Sequence, residues 1–173
     1  MQRFHSHGKL LITGEYVVLD GATAFALPTQ FGQSLEVESI KEPVIKWRSF
    51  DYKGETWFEQ KFLMKDLFQE ELASIGFDTG QKKVSKMLFL TLHSAAKSNP
   101  AAFKENGYNI TTKTDFPLEY GLGTSSTLIT NIAKWLKIDA YDLLENTFGG
   151  SGSDVAVALL GKPIPYTLQE RKN

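Results

Sequence analysis

Cysteine is absent from this 173-residue chain, which excludes disulfides, thiolate zinc sites and cysteine catalysis. That fits a reducing compartment, and a cytoplasmic protein is the expectation. Net charge is scarce as well. Nineteen Lys and Arg against twenty Asp and Glu leave −1 at neutral pH, which gives neither nucleic acid nor an anionic membrane an electrostatic hold. No apolar run is long enough to span a bilayer, and the start, Met1 to Lys9, has no signal-peptide core. Histidine is sparse. His5 and His7 alternate on one face with no acidic or third His partner nearby, so zinc is not expected there.

What remains is ample for a packed core: 42 % of residues are hydrophobic and 12 are Phe, enough for one domain or a large piece of a two-domain enzyme. No repeat, linker or low-complexity stretch interrupts the chain. The first forty residues read as β structure, with Leu10 to Leu19 an apolar run broken by Gly14-Glu15, a turn at Asp20-Gly21, and a short strand marked by Phe31, Leu35 and Val37. Val44 to Tyr52 and Glu55 to Leu63 read as strands joined through Lys53-Gly54, and Lys65 to Ile75 as a short helix. Val84, Met87, Leu88, Leu92, Ala95 and Ala96 predict a helix over 81–98, ended by Asn99-Pro100. Tyr108 to Thr114 alternates as a strand. Asp139 can cap a helix running to Thr147, with Gly149 just past its end. Val155 to Leu160 is a further apolar run, and Pro163 to Leu168 reads as a closing strand.

Three segments carry candidate chemistry. The first is Gly121-Leu122-Gly123-Thr124-Ser125-Ser126, which follows a strand and opens a helix of Leu128, Ile129, Ile132, Trp135 and Leu136. Free N–H groups at a helix start suit an anion, and the hydroxyls can bond phosphate oxygens or a hard cation. The loop lacks a Walker Lys and a Rossmann third glycine. On spacing alone a helix cap with a tight turn explains it equally well. The second segment places Lys9 before an apolar strand that contains Gly14. A flanking charge is usually just solvated, whereas a glycine inside such a strand often marks close approach to a ligand. In the third, Asp154 follows Gly149-Gly150-Ser151-Gly152-Ser153. It is either an N-cap or a general base that accepts a hydroxyl proton in phosphoryl transfer.

Together and in this order the segments resemble the GHMP kinases, the family of galactokinase, homoserine kinase, mevalonate kinase and phosphomevalonate kinase. Gly8-Lys9-Leu10 to Gly14-Glu15-Tyr16-Val17-Val18 resembles the N-terminal motif, and Tyr16 in place of His leans toward phosphomevalonate kinases. The glycine loop, with Pro117 in place, is similar to the family's Pro-x-x-x-Gly-Leu-Gly-Ser-Ser nucleotide loop. Gly152-Ser153-Asp154-Val155-Ala156 looks closest to a bacterial subgroup with the signature Gly-Tyr-Asp-Ile-Ala. The likeness is strong at both ends of the chain and weak between about Lys41 and Asn106.

The resemblance implies an α+β fold of the ribosomal protein S5 domain 2 type: a mixed, mostly antiparallel sheet with helices packed on one side and a left-handed βαβ crossover. It implies that residues 1–173 form the N-terminal, ATP-binding domain, without the C-terminal ferredoxin-like domain. Gly121, Leu122, Gly123, Thr124, Ser125 and Ser126 would wrap the ATP phosphates, with the Ser125 hydroxyl on Mg²⁺ and Glu145 as the acidic metal ligand. Asp154 would take the acceptor proton and Lys9 would stabilise the developing charge, while Glu15, Tyr16, Ser151 and Gly152 would line the substrate side. The implied reaction is ATP-dependent phosphorylation of a small-molecule hydroxyl or phosphate, first a mevalonate-pathway intermediate. A sugar or homoserine kinase and an inactive nucleotide-binding module are the alternatives. A chain that stops soon after the third motif is expected to be weakly active alone. It is also expected to self-associate, or to bind a partner chain, through the face a C-terminal domain would cover.

Overall fold

The computed structural model describes residues 1–14, 16–69 and 81–168. Glu15, most of the predicted 65–75 helix and the charged tail 169–173 lie outside the described residues. Strands β1 (Gln2–Thr13), β2 (Ala24–Ile40), β3 (Val44–Phe50), β4 (Thr56–Leu63), β5 (Gly107–Thr114) and β6 (Ile164–Tyr166) form one sheet. Its order is β1-β2-β5-β3-β4, with β6 beside the first residues of β2. β3 and β5 run parallel, and every other pairing among the described residues is antiparallel. Four helices complete the chain: α1 (Lys82–Ser98), α2 (Thr124–Leu136), α3 (Ala140–Glu145) and α4 (Ser153–Leu160). None of the described helices is long and apolar enough to cross a membrane.

The two faces of the sheet follow from strand alternation. Leu35, Val37, Ile45, Trp47, Phe58, Phe62 and Ile110 point inward and join Leu88, Phe89, Leu92, Ile129, Ile132, Leu136 and Leu143 of the helices in one core. Each such side chain contributes roughly 1.5–3 kcal/mol of burial. The alternate positions carry Glu38, Lys46, Arg48, Glu59 and Lys61, all exposed, and Arg48 pairs with Glu59 through two hydrogen bonds. The sheet is therefore covered by helices on one side and solvated on the other, as expected. A smaller cluster of Ala26, Ala156, Val157 and Ile164, with Leu11, Tyr141 and Tyr166 against it, seats α4 on β1, β2 and β6.

Several expected elements differ in extent. The run Leu10 to Leu19 is not one strand: β1 stops at Thr13 and Val18–Asp20 is a single 3₁₀ turn. Gly14 ends it by adopting φ +84°, and its carbonyl then accepts both Val17 and Val18 N–H groups. A Cβ there would lie 2.7 Å from Ala24 Cα, so only glycine lets β1 turn this close to β2. The strand marked by Phe31 to Val37 is much longer than it reads, at 17 residues. Only a 3₁₀ turn, Met64–Phe68, stands where the 65–75 helix was expected to begin. Val84 proves exposed in α1, its inward place taken by Ser85 and Phe89. Asp139 caps α3 as expected, accepting from Tyr141 and Asp142 N–H. The helix ends at Glu145, however, short of Thr147, whose hydroxyl bonds back to Leu143 O.

Candidate active site

The site begins with an irregularity in β1. Its register against β2 shifts between His7 and Lys9, and the residue between is Gly8. A Cβ on Gly8 would stand 2.8 Å from Leu122 O and 2.9 Å from Thr29 Oγ1. The missing side chain thus lets the glycine loop lie directly on the strand, where Lys9 N donates to Leu122 O at 2.9 Å.

The loop itself runs through a 3₁₀ turn, Leu118–Tyr120, to two glycines in the left-handed region, Gly121 (φ +67°) and Gly123 (φ +82°). Gly123 is the N-cap of α2, and no side chain caps that helix. Thr127 N reaches back to Gly123 O at 3.0 Å. The earlier amides, of Thr124, Ser125 and Ser126, belong to the turn whose N–H groups have no acceptor within the helix. Ser125 is exposed, Thr124 partly so, and Ser126 is 9 % exposed.

α4 starts the same way, from Gly152 at φ +80° with no side-chain cap. Asp154 lies one residue inside the helix, which overturns the N-cap reading. Freed from capping, its carboxylate turns toward β1, with Oδ2 3.4 Å from Lys9 Nζ, while Oδ1 accepts from Ser153 Oγ at 3.3 Å. A Cβ on Gly123 would stand 3.2 Å from Lys9 Cγ and 3.6 Å from Asp154 Oδ2. The three segments singled out in the sequence therefore meet at one place. The Lys9 and Asp154 side chains keep 15 % and 28 % exposure, so both can still reach a ligand.

The loop before Asp154 is held from behind. Tyr166 OH donates to Ser151 O, and Gly152 sits so near the Tyr141 ring and the Tyr166 hydroxyl that a Cβ would lie 3.1 and 3.2 Å from them. Ser151 Oγ and Ser153 Oγ are 3.0 Å apart. Sequence reasoning missed Tyr141 and Tyr166 because both read simply as aromatic residues of a helix and a strand.

The remaining candidates are less central. Tyr16 is 90 % exposed. Glu145 is exposed at the end of α3. It lines a depression of about 1200 Å³ with Asp20, Asp142, Tyr141 and Gly149–Gly152, and neither Lys9, Gly123 nor Asp154 lines it. A shallower hollow of about 610 Å³ lies on the solvated sheet face, around Lys46, Arg48 and Glu59. Among the described residues no three His, Asp or Glu side chains gather into a metal-holding group.

The residues present fit a nucleotide phosphate. An uncapped helix start, hydroxyls at Thr124 and Ser125, an ammonium at Lys9 and a glycine where a Cβ would fill the cradle form a polar, positively biased recess. They fit a hard cation less completely, since Asp154 is the one carboxylate shown against this recess.

No protein-family profile and no curated protein matches the sequence. The fold does match solved structures. Against the mevalonate kinase of Methanococcus jannaschii the TM-score is 0.69 at 13 % identity, covering 95 % of this chain and 53 % of that one. Against a Streptococcus pneumoniae phosphomevalonate kinase in complex with phosphomevalonate and AMPPNP, the TM-score is 0.62 at 15 % identity, covering 93 % and 48 %. Against the Lactococcus lactis galactokinase complexed with galactose it is 0.60 at 14 % identity, covering 98 % and 48 %. The chain spans about half the length of the solved proteins it resembles. Its fold is that of the GHMP kinases, over a stretch equal to about half of such an enzyme.

Proposed function

We propose that this chain is the nucleotide-binding half of a small-molecule kinase that phosphorylates a mevalonate-type acceptor. The observation that carries the proposal is the Lys9–Asp154 pair, 3.4 Å apart and set against Gly123 at the open start of α2. A base, a cation and a phosphate cradle within one recess are what phosphoryl transfer asks of a protein.

In this reading the amides and hydroxyls of Gly121–Ser126 hold the triphosphate, and Ser125, with Glu145 as a more distant candidate, holds Mg²⁺. When bound, magnesium ATP supplies the phosphoryl group and neutralises part of its charge. Asp154 accepts the proton of the acceptor hydroxyl as that oxygen bonds to phosphorus and the bond to the ADP oxygen breaks. Lys9 stabilises the charge on the transferring oxygens. Glu15, Tyr16, Ser151 and Gly152 face the acceptor.

The solved kinases are about twice as long, which supports a further segment or a partner chain as the other wall of the cleft. Leu10, Ile12 and Leu160, each about half exposed, are the surface such a wall, or a second copy, would cover.

Isothermal titration of the 173-residue chain with ATP and Mg²⁺ tests the cradle. A coupled ADP assay over mevalonate, phosphomevalonate, galactose and homoserine, with Asp154→Asn as control, tests the chemistry. Binding with slow turnover on a mevalonate-type acceptor is expected. Binding with no turnover on any acceptor would favour an inactive nucleotide module, and no binding at all would end the kinase reading.

A further inference from the structure

Beneath the glycine loop, α2 is pinned to the sheet by polar side chains that the proposed chemistry does not use. Ser6 Oγ donates to Asn131 Oδ1 at 2.8 Å, and Asn131 Nδ2 donates to Gln33 O at 2.8 Å. Roughly one turn earlier, Thr127 Oγ1 lies 2.9 Å from Gln33 Oε1 and 2.9 Å from Thr124 O. A hydroxyl has one proton to give. With the Gln33 amide turned so that its NH₂ donates to Thr127, Thr127 can donate to Thr124 O and both contacts are satisfied. These side chains are sealed from water, with Ser6 and Asn131 at 0 %, Thr127 at 1 % and Gln33 at 5 % exposure.

An apolar seam would seat a helix on a sheet equally well and would not carry the cost of burying four polar groups. What apolar contacts lack is a sharp distance requirement, so they tolerate sliding of the helix along its axis, whereas hydrogen bonds fix it. The placement of the bonds matters here. Ser6 precedes Lys9 on β1, Thr124 follows Gly123 on α2, and the Gln33–Thr127–Thr124 chain ends on the first turn of that helix.

We propose that Gln33 and Thr127 are positioning residues. They hold the first turn of α2 at the height where Gly123, Thr124, Ser125 and Ser126 stand opposite Lys9 and Asp154. This inference rests on the nucleotide-binding reading of the same site.

Thr127→Val keeps the shape and removes the hydroxyl, and Thr127→Ser restores it. Thr112→Val removes a comparable buried bond, from Thr112 Oγ1 to Ser49 Oγ at 2.8 Å, away from the loop. Two measurements are made on each form: ATP·Mg²⁺ affinity by calorimetry, and amide exchange at Ser125 and Ser126 without nucleotide. Thr127→Val is expected to weaken ATP binding roughly tenfold and to speed exchange at both amides, with Thr127→Ser returning to within about twofold of the unaltered chain. Thr112→Val is expected to lower the unfolding midpoint and to change neither measurement. Unchanged ATP affinity in Thr127→Val, or an equal loss in Thr112→Val, overturns the positioning role. If no form of the chain binds ATP, the functional reading fails by itself and the exchange rates decide. Unchanged rates in Thr127→Val then overturn the positioning role, and faster rates uphold it.

Discussion

Gly8 lies so close beneath the carbonyl of Leu122 that a β-carbon on it would come within 2.8 Å of that oxygen. The obstacle is backbone on the one side and Thr29 Oγ1, at 2.9 Å, on the other, so neither can swing away cheaply. Gly8→Ala should therefore lift the glycine loop off β1 and break the Lys9 N to Leu122 O bond. Overpacking of this kind costs about 1–3 kcal/mol, readable as a lower urea midpoint. ATP affinity should fall with it. A Gly8→Ala chain with unchanged midpoint and unchanged affinity would mean the loop is not seated where we describe it.

Asp154→Asn and Lys9→Met separate chemistry from stability. The pair is partly exposed and 3.4 Å long, so its loss should change stability by less than about 1 kcal/mol. Turnover is a different matter. Removing a positioned base costs on the order of 10²- to 10⁴-fold, so Asp154→Asn should abolish measurable phosphorylation while leaving the unfolding curve nearly in place. Full turnover in Asp154→Asn would show that the carboxylate is not the base.

His5 gives the fold an acid sensitivity. Partial burial holds its imidazole below the usual 6.5, the nearby His7 and Lys134 add to this, and Asp115 opposes it. The folded chain therefore binds this proton less readily than the unfolded chain. The stability so contributed is intact above the usual value and is lost as pH falls from there through the lowered one. Urea midpoints should decline as pH is lowered below about 6.5, and the decline should be shallower in His5→Gln. Identical pH profiles for the two chains would remove His5 as the cause.

Asp139→Ala tests the one side-chain helix cap foreseen in the sequence. Its carboxylate accepts from Tyr141 N at 2.7 Å and Asp142 N at 3.0 Å. Loss of such a cap costs about 1 kcal/mol, measurable as a lower midpoint of thermal unfolding. Because α3 carries Tyr141 against Gly152, a modest fall in nucleotide-dependent turnover should accompany it.

Much of this was legible beforehand for physical reasons. Strands with strict alternation, such as Tyr108 to Thr114, and a helix with a clean apolar stripe, such as α1, announce themselves because one face must be buried. The meeting of Lys9, Gly123 and Asp154 could be expected only from the family resemblance, since nothing in local spacing brings residue 9 to residue 154. The length of β2 was hidden by Pro28, Gly32 and polar Gln30, Gln33 and Ser34, which weaken its strand pattern although its hydrogen bonds to β1 and β5 persist. The break in the Leu10 to Leu19 run depended on a backbone angle at Gly14. Buried Gln33, Thr127 and Asn131 were missed because polar residues give no core signal until their partners are known.

The clasp of Tyr166 on Ser151 also bears on how the molecule is made. Asp154 and its glycine turn leave the ribosome before the strand that braces them, and that strand must then find Ala24–Ala26, synthesised near the start. Such distant pairing is slow compared with local folding. The acid at the catalytic centre is thus among the last parts to reach its place, and a nascent chain arrested before Ile164 should emerge with its sheet begun and its chemistry unassembled.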